Sequence, residues 1–430
     1  MSRIGVVVGI AIVVATACGG PAGDTARGAD PMVTAMGVDR EIPADPPLDA
    51  AREGIVAFGH ALHGQVGGVG ENAVLSPLSV AHAFAMARAG AVGTTAEEID
   101  DVLRFPEQGA HAAFNALDRA IVTQHGPPPQ LSPSETRNAL AGPQPPVVAI
   151  ANGLFVQHEF PVRRAFLETL AANYGVGIGR VDFTDPPAAK RTLDVWVREQ
   201  TAGRIQELFG DLDPLTRLVL ANAVYLKADW ESPFGEHATE SASFTRSDGS
   251  RVQVPLMHDR SRRRYATGDG WKAVELTYAG GELAMWVILP DDPARVLDAT
   301  SPQRYEQLAE RLTEGEVEIF LPRFDFAADV DLGSALQPLG MHAPFRPDAN
   351  FSAMSPEALF ISDAVHRANI TVDEHGTEAA AVTGLAFATS LAQPELTLRA
   401  DRPFAFIVTH LPTDTRVFIG RVADPSTNSG

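Results

Sequence analysis

Leu48, Ile55, Phe58, Ala61 and Leu62 fall on one face of a 3.6-residue spiral, so a helix is expected to begin at Leu48. The next segment, NAVLSPLSVAHAFAMARAGAVG (Asn72 to Gly93), reads as a strand end, a Ser-Pro turn and a second helix. Pro77 suits the first helical turn with Ser76 as its cap, and the helix is apolar nearly all round, which predicts burial. TTAEEIDDVLRF (Thr94 to Phe105) offers two overlapping capping boxes, Thr94 with Glu97 and Thr95 with Glu98. Strand-like runs follow at VVAIANGLFV, LVLANAVYLKADW, several segments between Ser243 and Leu289, and the alternating EVEIFLPRFDF. The C-terminal FAFIVTHLPTDTRVFIGRVADP reads as two strands joined at PTDT. Helical patterns lie at RRAFLETLAANYG, AAKRTLDVWVREQTAG and SPQRYEQLAERLTEG. Helices dominate the first half and strands the second, which predicts an α+β chain with no regular βαβ repeat.

Two stretches carry no period. Residues 19–47 are rich in Gly, Ala, Pro and Asp and read as a flexible tether; residues 124–146 are Pro-rich and read as a surface insertion. Ahead of the tether, Arg3 is followed by an apolar run, Ile4 to Val14, too short for a retained membrane span, and then by ATAC. This is the pattern of an export signal over residues 1–17. It resembles a bacterial lipoprotein signal, in which Cys18 is lipidated and becomes the first residue. ATA is also a site for ordinary secretion; both readings start the mature chain at Cys18 and place it outside the cytoplasm.

Composition narrows the chemistry. With 430 residues, 45% hydrophobic and 20% charged, the chain can build a large core. A net charge of −20 argues against nucleic acid as a partner. The one basic run, Arg260 to Arg264 (RSRRR), reads as a solvated hairpin edge. With Cys18 as the single cysteine, no internal disulfide and no cysteine-based zinc site can form. No G-x-S-x-G elbow or H-E-x-x-H appears, and GVGIG (Gly175 to Gly179) lacks the third glycine of a dinucleotide fingerprint. Pro290 to Asp292 reads as a turn. Ser76 and His366 have no motif context for a nucleophile and base, and a capping serine and a core histidine describe them better. No catalytic residue, metal ligand or cofactor site is expected.

One stretch is unusual. ANITV (Ala368 to Val372) reads as a strand, and DEHGTEAAAVTG (Asp373 to Gly384) follows with small residues at its centre. This stretch, with RPFAFIV and FIGRVADP after it, closely resembles the serpin family. NAVLSPLSVAHAFAMARAGAVGTTAEEI, LANAVYLKADWESPF and ISDAVHRANITVDEHGTEA extend the resemblance in family order from about Leu48 to Pro425.

The resemblance implies a serpin domain over residues 48–425, with three β-sheets, eight or nine helices and an exposed reactive loop over residues 374–398. It implies a monomeric inhibitor whose partner is a serine protease; a non-inhibitory serpin acting as a binding or structural protein is the alternative. The target cuts the loop, and the cleaved loop enters the central sheet as a new strand, a mode of strand addition known for this family. By the same resemblance Glu374, Gly376, Thr377, Glu378, Ala379, Ala380 and Ala381 form the hinge, Ser76, Ser79, Asn222 and His366 a polar shutter, and Trp230 the breach. Counting from Glu374 places the scissile bond at Ser390–Leu391, and counting back from RPF places it at Ala392–Gln393. FATSLA contains no Lys or Arg and suits elastase-like, subtilisin-like or chymotrypsin-like proteases. Strand alternation puts Thr377, Ala379, Ala381, Thr383, Leu385 and Phe387 on the core face of an inserted loop and the charge of Glu378 on the outer face.

Overall fold

The computed structural model describes residues 32–128, 143–377 and 393–427. Its elements, in order, are strand β1 (Met32–Val33), helix α1 (Leu48–His63), β2 (Ala73–Leu75), α2 (Pro77–Arg88), α3 (Thr94–Leu103), α4 (Ala110–Ile121), β3 (Val147–Gln157), α5 (Arg164–Tyr174), β4 (Ile178–Val181), α6 (Pro186–Gln200) and β5 (Leu218–Asp229). Then come β6 (Glu240–Thr245), β7 (Arg251–Gly268), β8 (Trp271–Thr277), β9 (Leu283–Pro290), α7 (Pro302–Arg311), β10 (Thr313–Pro322), β11 (Phe324–Asp331), α8 (Leu332–Leu336), β12 (Asp363–Val372), β13 (Gly376–Thr377), β14 (Leu396–Arg399), β15 (Phe404–His410) and β16 (Thr415–Val422).

The seven-stranded sheet runs β1-β4-β3-β5-β13-β12-β11. In the nine-stranded sheet the order is β14-β10-β7-β8-β9-β15-β16-β2, with β6 also on β7. The second sheet is two blocks fused by one strand. β7 is 18 residues long; its first part pairs with β6, its middle with β10 and its end with β8. The three sheets expected from the family resemblance thus appear as one sheet and two blocks sharing β7.

α1 begins at Leu48 as the periodicity predicts, and Ile55, Phe58 and Leu62 are buried. α2 starts at Pro77 behind Ser76, whose hydroxyl accepts from the Ser79 amide at 3.2 Å, and eleven of its twelve residues are buried. It lies behind the seven-stranded sheet against β3 and β5, where an all-apolar helix is stable.

Three sequence expectations are corrected. The tether expected over residues 18–47 does not extend through its second half. Met32 and Val33 pair with Gly179 and Ile178, and the Glu41 amide donates to the Ala172 carbonyl at 2.7 Å. Arg40 donates to Asn115 Oδ1 at 2.9 Å and forms a 2.6 Å ion pair with Asp118. Backbone pairing and a half-buried ion pair hold this polar segment as a strap, without any periodic apolar pattern.

The capping boxes of α3 do not form either. Its cap is Gly93, with no side-chain hydrogen bond. Thr95 Oγ1 instead accepts from the Asn350 amide at 2.8 Å, and Glu98 Oε2 accepts from the His342 and Ala343 amides at 2.6 Å each. The same side chains that cap locally are spent on distant backbone donors.

Finally, Arg260 to Arg264 sit inside the long strand β7, paired with β10 on one side before the pairing with β8 begins at Tyr265, and not at the end of a hairpin. Glu316, Glu314 and Glu275 face Arg260, Arg262 and Arg264 at 3.1–3.2 Å, so the run is neutralised from neighbouring strands.

The Pro-rich insertion lies mostly outside the described residues. Its flanks are tied down: the Gln124 amide donates to the Val148 carbonyl and the Gln144 amide to Asp229 Oδ2. Removing the strap's anchor should be felt in stability. Arg40→Ala leaves the Asp118 carboxylate, whose side chain is 7% exposed, without its cation. A loss of about 2 kcal/mol is expected, below the fully buried case because Arg40 touches solvent. The urea midpoint reads it, and Asp118→Asn added to Arg40→Ala should recover part of the loss. A null effect in Arg40→Ala would show that the strap does not stabilise the fold.

Candidate functional site

The seam between β5 and β12 divides the seven-stranded sheet. The two strands pair in parallel over six residue pairs, from Asp363 with Val219 to Ala368 with Val224. Above that they part. The chain leaves β12 at Val372 and reverses through Asp373, whose Oδ1 accepts from the His375 and Gly376 amides at 2.8 and 3.2 Å. It then returns as β13 between its own strand and β5: Gly376 pairs with Asp229, Thr377 with Ala228 and with Val372. The hinge residues Gly376 and Thr377 therefore already lie within the sheet. A β-carbon at Gly376 would overlap the Ala228 carbonyl oxygen, so this close strand entry depends on glycine.

Aromatic and charged side chains fix the turn. Trp230 is buried, stacks on Tyr278 with ring centres 4.5 Å apart, and donates through Nε1 to the Asp373 carbonyl at 3.0 Å. Its amide donates to the His375 carbonyl at 2.7 Å. Tyr278 hydrogen-bonds the Thr377 hydroxyl at 2.7 Å, and burial raises its pKa far above the usual phenol value, so it stays neutral. Glu374 is 1% exposed. Its Oε1 accepts from Arg323 Nε at 2.9 Å and Nη2 at 2.6 Å, and from the Thr239 hydroxyl. Burial alone raises the Glu374 pKa, but these donors outweigh it and hold the carboxyl below its usual range. Glu374 is thus a clamp at the foot of the turn, with Thr377 as the first loop side chain on the core face.

Lower in the same sheet lies a polar row. Asn152 on β3, Asn222 on β5 and His366 on β12 are register partners across three strands. Ser76, Ser79, Asn222 and His366 are all 0% exposed. The Ser76 amide donates to His366 Nε2 at 3.0 Å, and His366 Nδ1–H donates to Asn222 Oδ1. Asn222 Nδ2 donates to the Ser79 carbonyl at 3.0 Å, to Ser79 Oγ at 2.6 Å and to Asn152 Oδ1. The four shutter residues are therefore brought together as the resemblance implies. Ser76 is also the helix cap, and its hydroxyl does not meet His366, so nucleophile–base geometry is absent. Burial pushes His366 down to about 3. The Ser76 amide aimed at Nε2 requires the neutral ring in any case.

Sequence reasoning missed Asn152, Tyr278, Arg323 and Thr239. Asn152 carried a signal: it is the polar residue in the apolar run AIANGLFV, on the same face as Ile150 and Leu154. The others carried none. Glu378, Ala379, Ala380, Ala381, Ser390, Leu391 and Ala392 lie outside the described residues, as does Cys18; Gln393 is described and exposed. Among the described residues no group of three or more His, Cys, Asp or Glu is placed to hold a metal ion, and no helix is long and apolar enough to cross a membrane.

Comparison with known proteins matches residues 56–425 to the family model described as Serpin (serine protease inhibitor). Rat neuroserpin (Rattus norvegicus) is 32% identical over 379 residues, covering 85% of this chain and 89% of that protein. Leukocyte elastase inhibitor from Bos taurus is 34% identical over 371 residues, covering 82% and 93%. The structure of human thyroxine-binding globulin with bound thyroxine superposes with a TM-score of 0.76 at 26% identity, covering 88% of this chain and all of that one.

The row makes stability depend on acid. In the unfolded chain His366 takes up a proton below about 6.5, whereas in the folded chain it does so only near 3. Its contribution is complete above pH 6.5 and is lost as pH falls from there towards 3, by up to about 1.4 kcal/mol per pH unit. His63 and His82, also buried and lowered by desolvation, add loss of the same sign. Urea midpoints measured from pH 8 to pH 4 should fall, and His366→Gln should flatten the slope by about one proton. An unchanged slope in that variant would rule out a neutral His366.

Proposed function

The chain belongs to the serpin family, and from that premise we propose that it inhibits serine proteases by loop capture. Many members of the family inhibit such proteases; others, thyroxine-binding globulin among them, do not. The observation that carries the inhibitory reading is β13, the first two residues of an added strand, seated between β5 and β12.

Continuing its register fixes what insertion does. Thr377 stands opposite Ala228 and Val372; six residues further, Thr383 comes opposite Asn222 (228 − 6) and His366 (372 − 6). The entering strand parts the six β5–β12 pairs and breaks the His366–Asn222 hydrogen bond. Thr383 then lies on the same face with a hydroxyl that can donate to one and accept from the other. The row closes the sheet before cleavage and is repaired by the loop itself afterwards.

The target cuts at Ser390–Leu391 or Ala392–Gln393. FATSLA fits an apolar-preferring protease, in keeping with the elastase named for the bovine relative. Incubation with an elastase-like protease should give a band near the summed masses on a denaturing gel. Cleavage without that band supports the non-inhibitory reading. Thr377→Arg should convert the inhibitor to a substrate. Thr377 already sits in the sheet before cleavage, so the arginine expels the hinge there, and insertion must then bury an unpaired charge against Tyr278 on the core face, at several kcal/mol. Each ~1.4 kcal/mol on the insertion barrier slows that arm about tenfold against hydrolysis of the acyl-enzyme. Glu378→Arg, facing out, should still trap. If both variants trap as well as wild type, the insertion register is wrong.

Export with diacylation at Cys18 places the inhibitor, as a monomer, on the outer face of a membrane, since two chains anchor stably where one holds only marginally. Cys18→Ala should move the protein from the membrane to the soluble fraction in a host that processes lipoproteins. Wild type found soluble in that host would favour ordinary secretion.

A further inference from the structure

Where α1 meets β15 and β16, three buried polar atoms have no hydrogen-bond partner: His63 Nε2 on α1, Thr409 Oγ1 on β15 and Arg416 Nε on β16. All three residues are 0% exposed. Their side chains gather around Thr300, at the end of the segment Pro293–Thr300. His63 Nδ1 lies 3.0 Å from the Thr300 hydroxyl, and Arg416 Nη1 donates to the Thr300 carbonyl at 2.7 Å. Thr409 and Arg416 are register partners, so their side chains leave the sheet on the same face. Tyr305 lies under the Arg416 guanidinium, its ring centre 4.2 Å away, and its hydroxyl gives its proton to Asp414 Oδ1 and not to Thr409.

Buried polar atoms are almost always satisfied, so three orphans in one cluster point to a shared partner. Counting protons identifies it. The Thr300 hydroxyl gives its one proton to the Leu297 carbonyl at 3.1 Å, so it accepts from His63, whose proton is then on Nδ1. Burial, reinforced by Arg421, His60 and Arg416, holds the His63 pKa well below its ordinary value. The ring is therefore neutral and Nε2 is a bare acceptor. Arg416 Nε–H is a donor, its terminal nitrogens being already used on the Thr300 and Ser301 carbonyls. The Thr409 hydroxyl can donate or accept. An anion could not serve His63, because it has no proton to give, and a metal cation would be repelled by the guanidinium. One donor, one acceptor and one hydroxyl are the set that a water molecule satisfies, and buried waters make about three such bonds.

We propose that one internal water binds at this junction as a structural ligand, accepting from Arg416 Nε, donating to His63 Nε2 and completing its bonds with the Thr409 hydroxyl. It joins elements from opposite ends of the chain: α1, near the start of the described fold, and β15 and β16, its last two strands. Arg416 anchors the same junction to the segment before α7 through two backbone carbonyls. Without the water, docking β15 and β16 against α1 would strand a donor, an acceptor and a hydroxyl together, at a cost that burial alone does not recover. The site belongs to the nine-stranded sheet, so it stands or falls apart from the loop-capture reading.

Thr409→Val separates the two possibilities, because valine keeps the shape of threonine and removes only the hydroxyl. If the hydroxyl is an orphan, the change should raise the urea midpoint or leave it unchanged; if it holds the water, the midpoint should fall. A fall is expected, and a rise or no change overturns the site. His63→Leu supplies the second arm. With the water already deprived of its acceptor, Thr409→Val should cost much less in the His63→Leu background than in wild type. An equal loss in both backgrounds overturns the sharing of one molecule. Should His63→Leu fail to fold, a crystal structure of the intact wild-type protein that shows ordered solvent decides the same point. It should place one solvent peak within hydrogen-bond distance of all three atoms. No peak there, or the three side chains bonded directly to one another, overturns the proposal.

Discussion

The hydrogen bond from His366 to Asn222 crosses the seam on which everything else depends. Beneath β13 the strands on either side of the seam are joined by a short parallel ladder, a pairing slightly weaker per residue than an antiparallel one. A ladder of that kind can part without unfolding its neighbours, because β11–β12 and β3–β5 are longer and antiparallel. The polar row ties the two strands together across that ladder. His366 is poised between a helix N-terminus, which supplies the Ser76 amide, and Asn222, which accepts its other nitrogen's proton. The bond from the Ser76 amide to Nε2 relies on a neutral ring.

Above the seam the constraint changes from polar to steric and ionic. Thr377 enters because Gly376 has no side chain, and it stays because Tyr278 meets its hydroxyl while Trp230 covers the turn. Glu374 pins the turn to Arg323, whose side chain reaches solvent. The ends of the seam therefore differ in kind: a buried, uncharged latch low in the sheet and a charged clamp at its top.

Much of this was legible. The helical period from Leu48, the Ser76–Pro77 start of α2 and the alternation of β12 follow from local rules, and local geometry obeyed them. The hinge and shutter came from family resemblance, and the alternation argument for Thr377 agrees with where its side chain lies. What failed shares one cause. Thr95, Glu98 and the 260–264 arginines have partners that local sequence cannot supply, on strands or loops far along the chain. The strap escaped for a related reason: two backbone pairs and one ion pair hold it, and neither leaves a periodic trace. Asn152 was readable as a misplaced polar residue, but its meaning needed the register with Asn222.

The order of strands in the nine-stranded sheet bears on how the molecule is made. β15 lies between β9 and β16, and β16 pairs with β2, so the two strands latest in the order among the described residues fill the gap between earlier ones. Both are buried along their whole length. Until β15 and β16 have left the ribosome, β2 has no strand partner among the described residues and one edge of β9 stands open. Contacts so distant in sequence form slowly, and exposed strand edges invite association with other chains. The nascent polypeptide therefore cannot complete this sheet until β16 has emerged, and any truncation short of β16 leaves the sheet unfinished.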